Sequence, residues 1–141
     1  MISAPLGRIH LSGRIADLDP GARALVHEAV AVYKAIRADL PQAVPSWPLG
    51  LPAWDDSWIA LALHAPAATY LTVWRRSGAE DTTTIRLPYP LDAAVRAELL
   101  HPPISKATTV WDSRTAELIL TLPTAPSAVL LRLARSREDD P

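Results

Sequence analysis

The sequence predicts a mainly β protein, an antiparallel β-sandwich preceded by one long α-helix. Three observations predict it. A run of apolar residues at helical spacing follows Asp19-Pro20. From Trp58 onward the apolar residues alternate with their neighbours instead. The alternating segments are short and are divided by turn signals such as Ser77-Gly78 and Pro88-Tyr89-Pro90. Six or seven short strands at this spacing predict a sandwich.

Residues 1–18 read as irregular, with Gly7, Ser12 and Gly13 punctuating short apolar pieces. Asp19 then suits a helix N-cap and Pro20 the first helical position. Ala22, Leu25, Val26, Ala29, Val32, Tyr33 and Ile36 follow at helical spacing and give the helix a wide apolar face. That face calls for burial over more than a narrow stripe. The helix is expected over about 19–39, ending before Pro41. Residues 41–57 contain Pro41, Pro45, Pro48 and Pro52 and read as an ordered linker, excluded from central strands by their missing N–H donors.

Strands are expected around Ile59–Leu63, Tyr70–Trp74, Thr83–Leu87, Val95–Leu99, Leu118–Leu122 and Val129–Leu133, with a further extended piece at Val110-Trp111-Asp112. The tail SREDDP is charged and reads as frayed. The expected organisation is a helix-and-linker segment over 1–53, a sandwich over 54–135 and a disordered tail over 136–141.

Composition limits the function. The chain has 141 residues, enough for one ordinary core. Its formal net charge of −1 provides no electrostatic footprint for nucleic acid or an anionic membrane. Without cysteine, disulfides and thiolate metal sites are excluded. The opening MISAPLGRIHLSGR lacks the pattern of a signal peptide, and no apolar run is long enough to span a bilayer, so a cytoplasmic location is expected.

Candidate chemistry is sparse. His10, His27, His64 and His101 lack metal-ligand spacing, and no phosphate-binding, dinucleotide or serine-hydrolase motif is present, so neither metal nor cofactor is expected. Ser12-Gly13-Arg14 has no partner that would activate the serine. Of the acidic pairs, Glu80-Asp81 suits a solvated hairpin turn and Asp139-Asp140 a solvated tail. Asp55-Asp56 alone is flanked by aromatics, Trp54 and Trp58.

Two readings of that stretch stand side by side. In one, Trp47, Trp54, Asp55 and Trp58 form a carbohydrate-binding surface, indole faces stacking on sugar rings beside a polar contact. In the other, the tryptophans pack on the helix and sheet around an ordered turn. Trp74 and Trp111 are expected in core or inter-sheet packing, and Arg75-Arg76 at a solvated strand end.

Several pieces, in order, carry a family resemblance: LGRIHLSGR (6–14), VYKAIR (32–37), PSWPLGLPAWDDSW (45–58), TYLTVWRR (69–76) and APSAVLLRL (125–133). Together they resemble the C-terminal portion of bacterial alpha-galactosidases of glycoside hydrolase family 36, the melibiase-like enzymes. The resemblance implies that Asp19 to Leu40 corresponds to the last helix of a (β/α)8 barrel, that the Pro/Trp stretch is a stiff seam, and that the C-terminal glycosidase sandwich begins near Trp54.

It further implies a parent reaction, retaining hydrolysis of terminal alpha-galactosides. The family's KWD-type nucleophile motif and its acid/base motif are both absent here, so no catalytic role passes to Asp55 or Asp56. The chain is also too short to hold a barrel of about 250 residues. The expectation is a terminal fragment, inactive by itself. Its expected partners are a glycosidase barrel or a second copy of itself, and carbohydrate, with no nucleic acid and no membrane. A stand-alone carbohydrate-binding or interaction module is the alternative.

Overall fold

A computed structural model of the chain describes residues 2, 4–7, 9–11 and 14–136. Ser12 and Gly13 of the Ser-Gly-Arg piece and residues 137–141 of the expected tail lie outside the described residues. Among the described residues the fold is mainly β, eight strands in two antiparallel sheets preceded by one α-helix of 17 residues.

Helix α1 spans Pro20–Ile36. Its start is the one expected: the Asp19 carboxylate accepts the Ala22 N–H at 2.9 Å, and Pro20 occupies the first turn. It ends three residues before the expected end. Beyond Arg37 the bonding tightens, with the Asp39 N–H donating to the Ile36 carbonyl at 3.0 Å and a 3-10 turn at Leu40–Gln42. Pro41 has no N–H to donate to the Arg37 carbonyl and its ring crowds that carbonyl, so an α-helix does not run through it and the chain continues as a short 3-10 turn. Only Ala29 and Ile36 of the helix are buried, so the broad burial expected of its apolar face is replaced by a narrow stripe.

The strands are β1 (Val44–Ser46), β2 (Trp58–His64), β3 (Thr69–Arg75), β4 (Thr82–Arg86), β5 (Val95–His101), β6 (Thr108–Asp112), β7 (Glu117–Thr121) and β8 (Ser127–Arg135). Sheet order is β1-β2-β3-β8-β5 in the larger sheet and β4-β7-β6 in the smaller. Strand β1 lies inside the stretch expected to be a linker, pairing Val44 with His64 and Ser46 with Ala62. Pro45 is tolerated there because β1 is an edge strand with one side free of ladder bonds.

Alternation along each strand sends side chains to opposite faces. Between the sheets, Ala62, Leu71, Val73, Leu131 and Leu133 of the larger meet Ile85, Leu118 and Leu120 of the smaller. On the larger sheet's outer face, Leu63, Tyr70 and Leu130 lie under Val32, Ile36 and Leu40. The molecule therefore has three layers: helix, five-stranded sheet, three-stranded sheet. A register shift between Leu99 and His101 sets His101 opposite Leu130, on the helix side, where it is buried.

Candidate functional site

The loop from Trp47 to Ser57 joins edge strand β1 to β2. It opens with a tight turn, the Gly50 N–H donating to the Trp47 carbonyl at 2.9 Å; Gly50 has φ +90°, a value side chains rarely adopt. A second turn closes when the Asp56 carboxylate accepts the Ala53 N–H at 2.6 Å. That bond occupies Asp56, so the Asp55-Asp56 pair is not a free carboxylate dyad. Asp55 is exposed and, among the described residues, makes no hydrogen bond or ion pair.

The tryptophans separate. Trp54 is 90% exposed, which overturns the packed reading for this residue. Arg76 covers one face of its ring, the guanidinium carbon 5.9 Å from the centroid, and also reaches the Asp56 carbonyl at 3.4 Å. Trp47 is half-exposed. Trp58 instead packs against the core between the sheets, beneath the Arg75 guanidinium at 6.0 Å. No ring-to-ring contact joins these three; such a contact forms between Tyr89 and Trp111, edge to face at 5.5 Å. Trp111 packs on the inter-sheet core as expected, its indole N–H donating to the Ala93 carbonyl at 2.8 Å. Trp74 lies half-buried on the opposite side of β3 from Val73.

Arg75 corrects the expectation of a solvated strand end. It is buried, donating to the Leu122 carbonyl at 2.6 Å and the Gly78 carbonyl at 2.9 Å. It ties the end of β3 to the strand-end carbonyl leaving β7 and to its own following turn. Arg76 is exposed as expected.

The structure assembles one polar cluster that sequence reasoning missed. Ser46 Oγ lies 2.7 Å from His64 Nε2, His64 Nδ1 lies 3.1 Å from Thr69 Oγ1, and the Tyr89 hydroxyl lies 3.0 Å from both Thr69 Oγ1 and the Leu133 carbonyl. The Tyr89 hydroxyl donates to Thr69 and to the Leu133 carbonyl, and the donor and acceptor roles among Ser46, His64 and Thr69 follow the imidazole tautomer. Burial lowers the His64 pKa below 6.5, which favours the neutral ring this relay uses.

The serine–histidine contact resembles a nucleophile–base pair, but the histidine's other nitrogen meets a neutral hydroxyl. Among the described residues no carboxylate meets the ring to stabilise an imidazolium, so the relay is better suited to pinning β1 against β2 and β3. Ser46 and His64 are 18 residues apart and meet only through the β1–β2 register, so no local motif advertises them.

His101 and Glu28 form a second buried polar spot between helix and sheet. Among the described residues, His101 Nδ1 and Glu28 Oε2 each lack a hydrogen-bond partner. Burial lowers the His101 pKa, and the Glu28 carboxylate opposes that shift. Among the described residues, no group of three metal-binding side chains converges.

The class that fold and site define is an antiparallel β-sandwich with a helix on its outer face and an exposed tryptophan corner. No family model, curated protein or solved structure matches the chain.

Proposed function

We propose that the chain is a non-catalytic accessory sandwich of an alpha-galactosidase-like glycosidase. In this reading it works in the cytoplasm, where its loop-and-edge surface seats against a catalytic barrel that supplies both carboxylates of a retaining mechanism. The observation that carries the reading is a mismatch between core and edge. The sandwich closes its own core, yet β1 and the loop that follows it leave Val44 65%, Leu51 80% and Trp54 90% exposed. Apolar side chains gathered on one proline-stiffened segment are the kind of surface that a second domain covers.

The test is complementation. An alpha-galactosidase barrel lacking its C-terminal sandwich is mixed with the purified chain. Complex formation, a blue shift in tryptophan emission and recovered hydrolysis of an aryl alpha-galactoside are expected, each weakened by Trp54→Ala. Absence of both complex and recovered activity overturns the reading, as does hydrolysis by the chain alone.

A second reading rests on Trp54 itself. Arg76 occupies one indole face, and the 90% exposure leaves the other open beside the unengaged Asp55 carboxylate, an arrangement suited to stacking one sugar ring. Saturable emission changes with galactose or melibiose that vanish in Trp54→Ala support it. A flat titration to tens of millimolar, about the limit of useful affinity, removes it.

A further inference from the structure

A cleft of about 460 Å³ opens at the far end of the larger sheet, lined by Arg96, Arg132 and Arg135 with Glu98, over a floor that includes Ala67 and Ala134. Its walls follow from the β5–β8 register. Arg96 stands opposite Ala134 and Glu98 opposite Arg132, so Arg96 and Arg132 are diagonal neighbours on one face. Side chains so placed are separated by roughly 7–8 Å, within reach of one small ligand. Arg135, at the end of β8, lines this cleft and an adjoining one beside His64 and Tyr89.

The charges here are unbalanced. Among the described residues the cleft lining includes three arginines and one glutamate, although the whole chain has a formal net charge of −1. The Arg132–Glu98 ion pair spans 3.8 Å with both side chains well exposed, too long for a hydrogen bond. Among the described residues, Arg96 and Arg135 have no ion-pair partner. Like charges on neighbouring strand positions repel, so the cleft gains from an added anion. Guanidinium forks match carboxylate and phosphate oxygens in pairs, and the small alanine floor leaves room for a ring. Glu98 repels a second acidic group and accepts hydrogen bonds from hydroxyls.

We propose that this cleft binds a sugar-sized polyol bearing a single oxyanionic group, a carboxylate or a phosphate. The oxyanion sits between Arg96, Arg132 and Arg135, and the hydroxyls face Glu98. The cleft is lined by none of the Trp54 corner residues, so it is independent of the accessory-domain reading.

The test is calorimetric titration of the full chain at low ionic strength with galacturonate, galactose 1-phosphate, inorganic phosphate and galactose. Saturable binding of at least one acidic sugar is expected, tighter than inorganic phosphate, with no signal from galactose at this site. Arg96→Gln combined with Arg135→Gln should weaken it at least tenfold, with the fold checked by circular dichroism. Trp54→Ala should leave it unchanged, which separates this site from the aromatic corner. Binding should weaken as salt rises. Failure of both acidic sugars to bind up to tens of millimolar overturns the proposal. Equal binding by the double variant overturns it as well. Inorganic phosphate binding as tightly as the sugars removes the polyol part.

Discussion

One side chain buried at an end of the sandwich is charged. Arg75 lies beneath the surface with two of its nitrogens on carbonyls, those of Leu122 and Gly78, and its guanidinium against Trp58. Replacing it by leucine strands the buried Leu122 carbonyl, whereas the Gly78 carbonyl lies in an exposed turn. The expected loss is about 2–3 kcal/mol, read as a lower urea midpoint. Arg75→Lys should recover only part of this, since an ammonium lacks the planar fork that reaches both acceptors. A midpoint unchanged in Arg75→Leu refutes the clamp. The sequence displays two arginines before a Ser-Gly turn and offers no sign that one is buried and the other exposed. Strand alternation states that they point opposite ways, but which way is inward depends on the second sheet.

At the scale of elements, β1 is the weak member. It has three residues, contains a proline and lies at a sheet edge. The His64 relay adds side-chain bonds to its few backbone ones. Both His64 and His101 have pKa values lowered by burial from an ordinary 6.5. The unfolded chain therefore binds more protons than the folded one between those lowered values and 6.5. Their contribution to stability is fully present above pH 6.5 and is lost as pH falls through the folded values. Thermal melts from pH 7.5 to 5 should show a falling midpoint, with a shallower slope in the His64→Gln, His101→Gln double variant. An identical slope in that variant excludes the two rings as the source. Most of the strands were legible from alternation, because each presents a clear apolar row to one core. Strand β1 was not: three residues are too few for a period, and its proline argues for a loop until a neighbour supplies the edge.

The whole molecule places a closed sandwich beside an unclosed edge. Leu51 and Trp54 stand 80% and 90% exposed on a stiff loop, and α1 buries only Ala29 and Ile36. Such a surface favours association when the chain is alone. Sedimentation velocity of the isolated chain should show concentration-dependent dimers or larger species, reduced in Leu51→Asp. A monomer across the full concentration range sinks this expectation. No helix among the described residues is long and apolar enough to cross a membrane.

By itself the sequence determined the kinds of element and their order, because helical spacing and alternation are local and because Asp19-Pro20 and the later prolines act on their own neighbours. It also determined what the chain lacks: cysteine chemistry, a strongly basic surface and the sequence motifs of the common catalytic sites. Tertiary structure alone decided which tryptophan faces water, which arginine is buried, that Ser46 reaches His64, and that three arginines share one cleft. Those outcomes depend on sheet order and strand register, which join residues far apart in the chain. A one-residue change of register sends a side chain to the opposite face, and no local pattern records the partner that sets it.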